Sequence, residues 1–174
     1  MGFINVVSAG IARALDVWSA AVGKTIGESD VEPHTWAIAQ RGREITAAEH
    51  LATVEYVHAF GRRLASWWES GFDILVSPTQ AAPPPELGFV TSTTEEPLRA
   101  MFRSGPYGVY TLPFNMSGQP AISLPLYWTR AGVKDLPVGI QFTAAFGRED
   151  LLFRLAAQLE QAAPWAERRP PVFA

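Results

Sequence analysis

A long amphipathic helix that stops at a glycine and passes at once into a short apolar strand most constrains what this chain can fold into. Between Thr46 and about Ser70, the residues Val54, Val57, Phe60, Leu64, Trp67 and Trp68 recur at helical spacing and form a broad apolar face. Thr46 and Glu49 make a capping box: the hydroxyl accepts a free backbone N–H, and the carboxylate reaches back to the N–H of the cap. Gly71 supplies the stop. Asp73 to Ser77 (Asp-Ile-Leu-Val-Ser) then reads as a buried strand halted by Pro78. Amphipathic helices beside short buried strands predict an α/β layered architecture, because each apolar face needs another element to cover it.

The rest of the chain follows the same logic. Ile4, Val7, Ile11, Leu15, Trp18 and Val22 define one stripe on a helix from Phe3 to Val22, with Gly23 as its stop. A shorter helix is expected after Pro33, anchored by Trp36 and Ile38 and closed by Gly42. Pro83, Pro84 and Pro85 lack N–H donors and make the stretch from Pro78 to Thr94 an irregular surface loop. A short helix is expected over Glu95 to Phe102, interrupted by Gly105-Pro106, while Tyr107 to Asn115 reads equally as helix or loop. Ala121–Leu124 and Val138–Phe142 read as strands, joined across a polar, turn-prone stretch from Thr129 to Asp135. A last helix spans Arg148 to Ala162, with Glu149 and Asp150 complementing its dipole and Leu151, Leu152, Leu155 and Leu159 facing inward. At 174 residues, without internal repeat or low-complexity linker, residues 1–174 are read as a single domain.

Composition narrows the function classes. The net charge of -3, with no basic run longer than Arg62-Arg63 or Arg168-Arg169, argues against nucleic acid as a partner. Cysteine is absent, which excludes disulfides, thiolate chemistry and Cys-based zinc sites, and fits a cytoplasmic location. Arg13 and Asp16 interrupt the apolar N-terminal run, so neither a secretory signal nor a membrane partner is expected.

No catalytic set is complete. There is no Gly-x-Ser-x-Gly elbow. His50 and His58 stand eight apart, a spacing that matches no i, i+4 metal pair, and read as helix-surface histidines. Lys24 and Lys134 lie in polar, turn-like surroundings that would not keep an amine neutral. Nothing points to a metal or a cofactor. The informative stretch is Tyr107 to Gln141, where Asn115 and Gln141 sit among apolar neighbours. A buried amide must be hydrogen-bonded, so each either fixes a backbone turn or meets a ligand. Gly118 and Gly139 signal positive φ or close backbone approach.

These blocks carry a resemblance. Asp30-Val31-Glu32-Pro33-His34-Thr35, Ile45-Thr46-Ala47-Ala48-Glu49-His50-Leu51 and Phe72-Asp73-Ile74-Leu75-Val76-Ser77-Pro78-Thr79 come first. Tyr110-Thr111-x-Pro113-Phe114-Asn115-x-x-Gly118-x-Pro120-Ala121, Leu136-Pro137-Val138-Gly139-Ile140-Gln141 and Glu149-Asp150-Leu151-Leu152 follow. Together, and in this order, they resemble the amidase-signature family, most closely the bacterial amidases that act on linear or cyclic amides.

The resemblance implies the C-terminal part of an α/β/α layered fold with a mixed sheet and flanking helices. It also implies hydrolysis of carboxamide bonds by a serine, a bridging serine and a lysine. No part of this sequence matches the half that holds those groups, so no catalytic residue is carried over. What it implies here is a wall of the pocket for a small-molecule amide, with Thr111, Phe114 and Asn115 as substrate-binding candidates. The alternative reading is a non-catalytic module that binds a ligand or partner. Six Trp and ten Phe predict that the isolated chain exposes apolar surface and self-associates, most simply as a twofold dimer through its N-terminal helix.

Overall fold

The computed structural model describes residues 2–131 and 134–169. The elements run α1 (Gly2–Val22), α2 (Pro33–Glu44), α3 (Ala47–Trp68), β1 (Ile74–Pro78), α4 (Arg99–Ser104), α5 (Leu112–Ser117), β2 (Ala121–Ala131), β3 (Lys134–Ala144) and α6 (Glu149–Ala162). Short 3-10 turns lie at Glu28–Asp30 and Gly105–Gly108. Two compact units emerge, Met1–Arg62 with Pro84–Pro106, and Arg63–Pro83 with Tyr107–Ala174. The division falls within α3.

In the first unit α1 packs on α2 through small residues. Ser8, Ala12 and Leu15 are the buried line of α1, and Ile38, Ala39 and Gly42 that of α2. Ile11, Ile26, Val31 and Trp36 pack against the Ala12–Leu15–Ala39 cluster. A Cβ on Gly42 would stand 2.0 Å from the backbone oxygen of Ser8. Gly42 therefore does not close α2, as the sequence suggested; it lies inside the helix, where its missing side chain lets the two backbones meet. The same contact explains why the apolar stripe of α1 is not buried throughout: Trp18 is 62% and Val22 60% exposed, beyond the reach of the small-residue seam. Arg43 pairs with Asp16 at 2.7 Å and Arg41 donates to Asn5 Oδ1 at 3.1 Å, tying the helices at their polar edges.

The α3 cap forms as its sequence specifies. Thr46 Oγ1 accepts from the Glu49 N–H at 3.2 Å, and Glu49 Oε2 accepts from the Thr46 N–H at 2.9 Å. That backbone N–H, followed by the Thr46 hydroxyl, holds the Glu49 carboxyl below its ordinary range. Its stabilising effect is present above the ordinary carboxylate pKa and is lost as pH falls through the lowered value.

The second unit holds the sheet, ordered β1-β3-β2 with both pairings antiparallel. Ile74 pairs with Ala144 through Pro78 with Ile140, so Pro78 is the last rung of an edge strand rather than a stop before it. β2 and β3 are longer than their apolar cores predict. Thr129, Arg130 and Ala131 pair with Leu136, Asp135 and Lys134, because the ladder hydrogen bonds do not depend on side-chain polarity. The expected turn between them falls at residues 132–133, outside the described residues. Pro125, which has no N–H to give, sits in an irregularity between Leu124 and Tyr127. One sheet face packs on α6: Leu124, Phe142, Ala144 and Leu152 form the core, flanked by Ile74, Ile122, Ile140, Leu155 and Leu159. Trp67 stacks on Phe72 at 4.6 Å and meets Trp68 edge-on, closing the end of α3 where Gly71 turns with φ 96°.

Two shorter segments settle differently from their sequence reading. The helix expected at Glu95 starts at Arg99, after Thr93 Oγ1 and Ser92 Oγ accept the N–H groups of Glu96 and Ala100. The segment from Tyr107 to Asn115, open between helix and loop, contains the end of a 3-10 turn and the start of α5. No helix among the described residues is long and apolar enough to cross a membrane.

Replacing Gly by Ala inside an exposed helix ordinarily stabilises by roughly 0.5–1 kcal/mol. At Gly42 the Cβ meets backbone, so Gly42→Ala should instead destabilise by about 1–3 kcal/mol, read as a lower urea midpoint. An unchanged or higher midpoint would show that α1 and α2 do not meet there.

Candidate functional site

Within the second unit, β3 places two kinds of side chain on its two faces. Ile140, Phe142 and Ala144 point to α6; Gly139, Gln141 and Thr143 take the other side. The register sets Ser77 and Ser123 directly opposite Gln141 from its two neighbours, so one row across the sheet reads Ser77–Gln141–Ser123. Gln141 is 4% exposed. Its Nε2 donates to the backbone oxygen of Tyr110 at 3.0 Å and to Ser77 Oγ at 3.4 Å. A carbonyl only accepts, so this partner fixes which end of the amide is nitrogen.

One step along the strand, Thr79 Oγ1 and Ser123 Oγ are 2.6 Å apart, and the Thr79 N–H donates to Gly139 O at 2.9 Å. One hydroxyl comes from the residue just past the end of β1 and the other from β2, and they meet above Gly139. A Cβ there would lie 2.6 Å from Ser123 Oγ and 2.7 Å from Thr79 Oγ1. The close approach expected at Gly139 is thus a hydroxyl bridge spanning the central strand. Thr143, fully buried in the same column, leaves its Oγ1 without a partner.

The segment beneath Tyr110 carries the three candidates. Gly108 O accepts the Thr111 N–H and also the Thr111 hydroxyl, at 3.2 and 3.1 Å. Thr111 O then accepts the N–H groups of Phe114 and Asn115, each at 3.2 Å, and starts α5. Gly118, with φ 75°, ends it by donating to Phe114 O at 2.9 Å. Thr111, Phe114 and Asn115 therefore share one helical turn, but with different surroundings. Phe114 is buried, the Thr111 hydroxyl is committed to backbone, and Asn115 is exposed. The expectation that Asn115 is a buried, satisfied amide does not hold. Its neighbours in sequence are apolar, but the short helix turns it outward. Gln141 is the buried amide of the two. Sequence reasoning passed over Ser77, Thr79 and Ser123 as chemistry, because only the folded sheet brings them together.

The site is neutral. The carboxyls held below their ordinary range lie elsewhere: Asp30 by the Gly27 N–H, Glu49 by that of Thr46, Glu95 by its own, Asp150 by the Arg148 guanidinium. Lys24 is taken up in an exposed ion pair with Asp30 at 2.6 Å, and the Lys134 side chain lies outside the described residues. No group of three or more His, Asp or Glu among the described residues is placed to hold a metal ion. The hydroxyls of the row contact one another and an amide. Such a surface can hydrogen-bond a neutral ligand or another piece of protein.

The amidase family model matches residues 5–153. This chain belongs to the amidase family. It is 38% identical to the 6-aminohexanoate-cyclic-dimer hydrolase of Paenarthrobacter ureafaciens over 173 residues, which are 97% of this chain and 34% of that protein. A solved structure of 6-aminohexanoate cyclic dimer hydrolase complexed with substrate superimposes with a TM-score of 0.89 at 36% identity, covering 98% of this chain and 36% of that one. A bacterial aryl acylamidase of the amidase-signature enzymes shares the fold at 18% identity and a TM-score of 0.68. The chain thus has the α/β architecture of amidase-signature proteins and spans about a third of the length of the curated relatives it matches.

A methyl group at position 139 would enter the hydroxyl bridge of this amidase chain. Gly139→Ala should cost about 1–3 kcal/mol through overpacking and the lost hydrogen bond. Adding Ser123→Ala should recover part of that loss by removing the atom in the way. Equal melting temperatures for wild type and Gly139→Ala would contradict the bridge.

Proposed function

We propose that this chain forms one wall of the substrate pocket of an amidase that hydrolyses a carboxamide C–N bond, and that the reacting serine, bridging serine and lysine belong to parts of the fold outside it. The observation that carries this reading is the 38% identity, sustained over 97% of the chain, to a cyclic-dimer hydrolase three times as long. A cyclic or linear aliphatic amide is the substrate class that fits. The candidate surface is neutral, and half-buried Pro113 lies beside the exposed Asn115 while buried Phe114 supports the turn from within. Thr111, Phe114 and Asn115 serve as the wall: Asn115 hydrogen-bonds the amide group, and Thr111 and Phe114 shape its seat. The two units are parts of one domain in the complete protein, which works in the cytoplasm.

On this reading the isolated chain turns over neither aliphatic nor aryl amides, because removing the reacting groups as a set forfeits most of the rate enhancement. Serine-directed acylating probes leave it unlabelled; specific labelling of any serine here would overturn the assignment. In the complete Paenarthrobacter relative, Ala at the position aligned with Asn115 raises KM by about two- to tenfold, the worth of one hydrogen bond, with kcat and melting temperature nearly unchanged. A fall in melting temperature with unaltered KM would make the residue structural.

The isolated chain also exposes Trp18, Val22, Phe102 and Phe153. Light scattering should give a mass near twice 19.0 kDa at high concentration. A monodisperse monomer that binds no apolar dye would contradict self-association.

A further inference from the structure

We infer that Gln141 is the positioning residue for the α5 turn: its carboxamide fixes the Tyr110 carbonyl to the central strand, and with it Thr111, Phe114 and Asn115. The inference rests on the pocket-wall reading for its functional meaning and on geometry for its substance.

Three observations converge on this one side chain. First, α5 is only Leu112–Ser117, too short to hold itself; helices below roughly a dozen residues are marginal in isolation. Its N-terminal cap supplies no side-chain hydrogen bond to its free N–H groups. Something outside the helix must therefore fix where it starts. Second, the chain enters α5 through Tyr110, and the Tyr110 carbonyl is bonded by a residue 31 positions away, at 3.0 Å. Third, that residue stands on β3, between two paired neighbours, and is 4% exposed. A hydrogen bond donated from such a place competes less with water than one at the surface.

The chemistry suits the role. A carboxamide nitrogen offers two protons. One goes to Tyr110 and the other reaches Ser77, so the same group ties the α5 entry to β3 and leans on β1. Glutamate would set a negative oxygen against the carbonyl, and asparagine would fall one methylene short. Position 141 therefore asks for glutamine, by donor chemistry and by reach. Asn115, which would contact substrate, makes no such tie of its own; its placement depends on the anchor below.

Hydrogen exchange read by mass spectrometry on the 174-residue chain tests this. Gln141→Met keeps length and bulk while removing both N–H groups; Ser77→Ala removes only the longer contact. In the Met variant, peptides over residues 110–118 should exchange at least about tenfold faster while peptides over 74–78 and 121–129 keep their wild-type rates, a sign of local rather than global opening. Ser77→Ala should leave residues 110–118 protected. If sheet and α5 peptides accelerate together, or if α5 stays protected without the amide, Gln141 is not the anchor. Should the Met variant fail to fold, Gln141→Asn substitutes for it. It keeps a carboxamide in the sheet, withdrawn from Tyr110, and the same selective acceleration is expected; wild-type protection of 110–118 would overturn the inference. These measurements contain no substrate. Lost α5 protection alongside an inert position 115 in the complete relative would keep the anchor and remove the pocket wall. An active position 115 with α5 exchange unaffected would do the reverse.

Discussion

β3 has a strand on each side, so its backbone hydrogen bonds are spent on β1 and β2 and its side chains must satisfy two unlike faces at once. Toward α6 they are apolar and alternate without exception: Ile140, Phe142, Ala144. Toward the other side they are a glycine, an amide and a threonine. A polar group buried there costs several kcal/mol unless bonded; Thr143 Oγ1 has no partner, but the other positions are supplied with theirs. Ser77 and the Tyr110 carbonyl answer Gln141, and Thr79 and Ser123 answer each other above Gly139. The placement of α5, the length of the strands and the space for the hydroxyl bridge all follow from this central strand.

The first unit solves its packing by the opposite means. Where β3 relies on paired polar groups, α1 and α2 rely on the absence of side chains: Ser8, Ala12, Ala39 and Gly42 bring two backbones into contact. The close seam uses up little apolar area, which leaves Trp18 and Val22 exposed on α1. In a chain that spans about a third of its relatives' length, such exposed aromatics and a neutral polar sheet row are the features that further protein or a ligand would complement.

Several elements could be read from sequence because their signals are local. The Thr46–Glu49 box, the stop at Gly71 and the apolar face of α6 each depend on residues within a few positions of one another. Strand lengths could not be read, since the polar ends of β2 and β3 are held by each other rather than by apolar spacing. Gly42 and Gly139 were legible as glycines with a purpose, but only the partner across the contact shows which. Of the two amides singled out, Gln141 is buried and bonded while Asn115 faces outward; composition around a residue does not tell which way a short helix turns it. The hydroxyl row was invisible, because Ser77, Thr79 and Ser123 become neighbours only through sheet register.

On the pocket-wall reading, this chain supplies about a third of an amidase, and the reacting groups lie in the rest. Co-expression with the remaining two-thirds of the Paenarthrobacter hydrolase, in place of that enzyme's own corresponding third, tests this most directly. A stable complex with measurable turnover of a cyclic amide is expected, where neither piece alone has any. If the hydrolase's own third restores turnover and this chain neither binds nor restores it, the chain is not the pocket wall of such an amidase.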